Sequence, residues 1–93
     1  MGIQDIKIRV IPILKAAGVT KSELFGSMAR GDNHSGSDCD LLVEMPQDTS
    51  LFEFADLKNK LEDSLSMRVD LVSYDSLNKK IKPFVKKDSV KIL

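Results

Sequence analysis

Apolar residues recur at spacings of three and four through Ile3, Ile6, Val10, Ile13, Leu14 and Ala17, which predicts an amphipathic helix over residues 3–17. Pro12 sits inside that stripe and predicts either a kink or a split into two helices. Gly18 is placed to cap the C-terminal end. Glu23-Leu24-Phe25 reads as a short strand stopped by Gly26, and Ser27 is placed to begin one or two helical turns through Met28, Ala29 and Arg30. Residues 31–37 (GDNHSGS) are all polar or turn-forming and read as loop. Residues 38–44 read as a strand built on Leu41-Leu42-Val43.

The second half repeats the alternation of types. Ser50, with Glu53 three residues on, has the pattern of a capping box, and Leu51, Phe54, Leu57, Leu61 and Leu65 carry the helix to Ser66. Residues 67–73 (MRVDLVS) read as a strand. Leu77, Ile81, Phe84 and Val85 mark a helix broken or started near Pro83, and residues 90–93 a short terminal strand. The order predicts a single α/β (α+β) domain over residues 1–93, with helices packed on a mixed sheet of three or four strands.

With 93 residues, 42% hydrophobic and 30% charged, the chain has the composition of one ordinary globular domain. It lacks a secretion signal, a myristoylation signal and a membrane-length apolar run, so a cytoplasmic location is expected. Cys39 has no second cysteine to pair with. The net charge of zero conceals a division. Residues 1–31 hold five basic groups against two acidic, residues 32–75 three against eleven, and residues 76–93 six against one. The acidic centre argues against direct nucleic-acid binding and suits either a solvated face or a divalent cation. The lysines at 79, 80, 82, 86, 87 and 91 read as a solvated helix face or as a match for an acidic partner.

The chemistry lies in three aspartates placed where strands should be buried. Side chains alternate along a strand, so Asp38 and Asp40 share one face and Cys39, read as a small core residue, takes the other. Like charges that close repel, and a divalent ion resolves the repulsion. Asp70 interrupts a second apolar strand. If the two strands are neighbours in register, three carboxylates converge, enough for two metal ions about 3.5–4 Å apart. Gly26-Ser27, a strand end turning into a helix N-terminus, offers free backbone N–H groups and a hydroxyl to phosphate. Each feature has a plainer reading: water-facing turn residues for Asp38 and Asp40, an ion pair with Arg68 or a lysine for Asp70, an exposed loop residue for His34, and a cap partner of Ser50 for Glu53.

Gly26-Ser27, ten residues, then Asp38-Cys39-Asp40, with Asp70 on a later strand, resembles the signature of the DNA polymerase β-like nucleotidyltransferase superfamily. The wider phrases, residues 24–31 (LFGSMARG) and 37–43 (SDCDLLV), resemble its smallest branch, the minimal nucleotidyltransferases. The resemblance implies AMP transfer from ATP with two Mg²⁺ ions. Asp38 and Asp40 would bind both ions, and Asp70 would bind the nucleophile-side ion and help deprotonate the acceptor. Gly26 and Ser27 would hold the β- and γ-phosphates, and Arg30 would touch phosphate or anchor its loop. It also implies an antitoxin that adenylylates a tyrosine of a HEPN-domain ribonuclease toxin, in a possible hetero-oligomer with it. Two other readings stay open at this point: a non-catalytic module that masks its partner, and a small-molecule or nucleic-acid nucleotidyltransferase completed by a separate subunit.

Overall fold

A computed structural model describes residues 2–26, 39–75 and 89–93. Helix α1 (Ile3–Ala16) leads into strand β1 (Lys21–Phe25); strand β2 (Cys39–Glu44), helix α2 (Leu51–Leu65) and strand β3 (Val69–Ser73) follow, and strand β4 (Val90–Lys91) closes the order. The strands form one mixed sheet in the order β3-β2-β1-β4, with β2 and β3 parallel and β1 antiparallel to both β2 and β4. The parallel pair requires a crossover, and α2 supplies it.

Both helices pack on one face of this sheet. Ile6, Val10 and Leu14 of α1 and Leu57, Leu61 and Leu65 of α2 meet Leu24, Cys39, Leu41, Val43, Val69 and Leu71 in a single buried cluster. Full burial of each of these leucines contributes about 1.5–3 kcal/mol. Ser22, a polar residue within this core, is satisfied because its hydroxyl donates to the Leu42 carbonyl at 2.7 Å.

Several boundaries are set by local chemistry. The Ser50 hydroxyl accepts from the Glu53 backbone N–H at 3.1 Å while the Ser50 N–H donates to the Glu53 carboxylate at 3.4 Å, so the capping box forms and Glu53 is the cap partner. Gly18 takes φ +83° just past α1, where a left-handed residue ends a helix. α1 runs through Pro12 neither broken nor split. Pro12 and Ile8, whose carbonyl loses its helical partner, both lie on the exposed side, where water can replace the lost bond.

Other boundaries differ from the sequence expectation. β1 starts at Lys21, two residues before Glu23, because the antiparallel ladder to β2 extends to Lys21 opposite Glu44. β3 starts at Val69 rather than Met67, with the Glu62 carboxylate accepting from the Val69 N–H at 2.9 Å. β4 covers only Val90–Lys91, although the Ile92 and Leu93 N–H groups still donate to the Ser22 carbonyl. The expected short helix at residues 27–30, the loop at 31–37 with His34, and the helix at 77–85 with its lysines lie outside the described residues. Among the described residues, no helix is long and apolar enough to cross a membrane.

Candidate active site

The face of the sheet turned away from the helices carries the candidate chemistry. Phe25 of β1 lies opposite Asp40 of β2, and Asp40 lies beside Asp70 of β3, so the three form one row across three strands. Side chains in register on adjacent strands share a face, with backbones about 4.8 Å apart. The parallel pairing of β2 with β3 therefore brings two carboxylates, separated by thirty positions in the chain, side by side. Asp40 is half-buried and Asp70 exposed.

Gly26 closes the row. It follows β1 with φ +76°, a conformation that favours glycine, and a Cβ built there would collide with an Asp40 carboxylate oxygen and come within 3.2 Å of its Cγ. The backbone at the strand end thus approaches the carboxylate as closely as a missing side chain permits. Of the residues singled out in the sequence, Gly26, Asp40 and Asp70 come together. Asp38, Ser27 and Arg30 lie outside the described residues. Among the described residues, no three His, Cys, Asp or Glu side chains are grouped so as to hold an ion.

Cys39 points into the core between α1, α2 and the sheet, and burial, followed by the negative charge of Asp40, pushes its thiol up to about 12. A thiol so held stays protonated at neutral pH and is no nucleophile. The alternation that buries Cys39 is the one that turns Asp40 outward.

A second polar arrangement on the same face has no counterpart in the sequence reading. The Tyr74 hydroxyl donates to Glu23 Oε2 at 2.7 Å, the Ser89 hydroxyl donates to Glu23 Oε1 at 3.3 Å, and Lys21 Nζ lies 4.9 Å from the centroid of the Tyr74 ring. Burial first, and then the hydrogen bond and charge of Glu23 and the charge of Glu44, hold the phenol protonated well above its usual range. Glu23 is opposite Leu42, which is in turn beside Val72. Tyr74 thus reaches over β2 to a partner two strands away, and with Phe25 and Val72 it covers Leu42, which is fully buried. Alternation along β1 puts Glu23 and Phe25 on one face, which was the available signal; the strand order needed to name Tyr74 as the partner was not.

Known proteins resemble the chain over most of its length. The family model described as a nucleotidyltransferase domain matches residues 7–92. A protein of Methanocaldococcus jannaschii, provisionally named a protein adenylyltransferase, is 38% identical over 93 residues, 100% of both chains. The protein adenylyltransferase MntA of Thermococcus cleftensis is 40% identical over 73 residues, 78% of this chain and 74% of that one. A toxin-antitoxin crystal structure with AMP-PNP superposes with a TM-score of 0.82 at 25% identity, covering 94% of this chain and 72% of that one. The fold is also that of a chain in a complex of a tri-AMPylated Shewanella oneidensis HEPN toxin with MNT antitoxin, with a TM-score of 0.75 at 22% identity over 97% of this chain and 71% of that one. The match over nearly the whole length shows that the chain belongs to the nucleotidyltransferase domain family and is a nucleotidyltransferase.

Proposed function

We propose that the protein transfers AMP from ATP to a hydroxyl of a partner protein, and that this partner is a HEPN ribonuclease toxin which the modification neutralises. The observation that carries the chemistry is the register of Asp40 with Asp70 beneath the Gly26 turn. Two carboxylates on one sheet face, with a glycine backbone packed against one of them, suit magnesium, which takes a few carboxylate oxygens and leaves its other positions to water and phosphate. Asp38, Asp40 and Asp70 would hold two ions. When bound, the ions neutralise the triphosphate charge and make the acceptor hydroxyl easier to deprotonate.

The remaining steps belong to the chain's own groups. Gly26 and Ser27 bind the β- and γ-phosphates through backbone N–H groups and the serine hydroxyl. Arg30 contacts phosphate or braces its loop. Asp70, exposed at the edge of the row, takes the acceptor's proton as its oxygen attacks the α-phosphorus and pyrophosphate departs. A protein acceptor suits a site on an open sheet face, and the relatives named as adenylyltransferases or antitoxins support that choice. A cytoplasmic location is consistent with this role.

The test is incubation of wild type, Asp38→Asn and Asp40→Asn with a cognate HEPN toxin and ATP labelled at the α-phosphate. Wild type is expected to label the toxin and both variants to lose at least about two orders of magnitude of rate. Label transfer that survives both substitutions would place the chemistry elsewhere. Toxin neutralised equally without ATP would replace catalysis by masking.

A further inference from the structure

At the far ends of β2 and β3 from the aspartate row lies a groove of about 530 Å³, whose apolar lining includes Val43, Met45, Leu51, Phe54, Leu71 and Val72. Leu51 and its neighbour Phe52, in the first turn of α2, are each 88% exposed. A large apolar side chain presented to water in the lining of an apolar groove, Leu51, with exposed Phe52 next to it in the helix, marks an interaction surface. The charged residues lining the groove are Glu44 and Asp75, both acidic; Lys21, opposite Glu44 in register, stands outside the lining against the Tyr74 ring. Val72 lies two positions beyond Asp70 on β3 and on its face, so one wall of the groove stands on the face of the site, whereas Val43 and Leu71 belong to the helix side and Tyr74 stands between groove and site over Leu42.

We infer that this groove docks the acceptor protein by an apolar side chain flanked by lysine or arginine, about four residues of extended chain from the hydroxyl offered to Asp40 and Asp70. The inference rests on the protein acceptor proposed above. The spacing follows from the strand: Glu44, at the groove, is four residues beyond Asp40, about 13 Å, which about four extended residues span. The sign of the flanking charge follows from Glu44 and Asp75. The same two carboxylates oppose the phosphate backbone of a nucleic acid, and in a two-fold contact between copies each would face its own kind.

The proposal is tested without nucleotide, on ¹⁵N-labelled protein with the peptide Lys-Lys-Phe-Lys-Lys-Gly-Tyr and a control carrying glutamate at every lysine. The lysine peptide is expected to shift the amides of Glu44, Leu51, Phe54 and Asp75. The control should bind about tenfold or more weakly, and the Glu44→Lys/Asp75→Lys variant should reverse the preference. Equal binding of both peptides, shifts confined to other surfaces, or no binding at about 1 mM peptide would overturn it.

A second arm measures AMP transfer to the toxin. The double-lysine variant, and separately Leu51→Ser, are expected to raise the acceptor KM about tenfold while kcat and the KM for ATP stay unchanged. An unchanged acceptor KM overturns the groove assignment. If wild type transfers no AMP at all, the proposed reaction fails, and the peptide titration still decides the groove.

Discussion

The carboxylate of Asp40 occupies the space that a side chain on Gly26 would need. Gly26→Ala therefore meets two penalties, about 1 kcal/mol or more for a left-handed φ and the displacement of the carboxylate. Loss of transferase activity and a lowered Tm are expected. In an Asp40→Ala background the second penalty vanishes, so the double-mutant cycle should show a coupling of about 0.5–3 kcal/mol by denaturant unfolding. Additivity would mean that the two residues do not share that space.

The side-by-side pairing of Asp40 with Asp70 places like charges together, which a bound cation would relieve. Mg²⁺ or Mn²⁺ at millimolar concentration is expected to raise the Tm of wild type by binding only the folded chain. Asp70→Asn, at an exposed position, should fold with a metal-free stability within about 0.5 kcal/mol of wild type and lose most of that metal-dependent rise. A rise of the same size in Asp70→Asn would remove Asp70 from the ion site.

Tyr74→Phe deletes the hydroxyl that donates to Glu23 while keeping the ring over Leu42. A hydrogen bond to a charged acceptor contributes about 1.5–3 kcal/mol, and the loss should approach the lower figure because Ser89 still donates to Glu23. The pH dependence has a definite sign. The folded phenol's pKa is raised, so its contribution is complete below the ordinary tyrosine value of 10.0 and is lost as pH climbs beyond it. Tyr74 is the chain's one tyrosine. The stability difference between wild type and Tyr74→Phe, by urea unfolding, should shrink above about pH 10. A constant difference from pH 7 to 11 would contradict the assignment.

Cys39 should behave as a reporter of unfolding. Fully buried, with its thiol pushed up to about 12, it is expected to react with a thiol reagent at pH 8 at least about a hundredfold more slowly than free cysteine. In denaturant the full rate should return. Rapid labelling of the folded protein would mean that the face of β2 packed on the helices is open.

The local elements were legible because their causes are local. The leucine spacing and the Ser50/Glu53 box delimit α2 to within a residue, since helix periodicity and capping involve neighbours three and four positions apart. Alternation along residues 39–43 was enough to put Cys39 in the core and Asp40 on the other face. The start of β1 at Lys21 was not legible, because its pairing with Glu44 depends on a strand more than twenty residues away. Nor was the continuity of α1 at Pro12, which depends on which side of the helix faces water.

By itself the sequence determined the kinds of element among the described residues, the inward and outward residues of β2, and a spacing of glycine, serine and aspartates that resembles one enzyme superfamily. Only the tertiary structure decided that β3 lies parallel to β2 with Asp70 beside Asp40, that Gly26 abuts Asp40, and that Tyr74 crosses a strand to reach Glu23. The physical reason is range. Periodicity and capping act within a turn or a pleat, whereas strand order and register are chosen by the burial of the whole core, and the candidate site exists only where that choice aligns the strands.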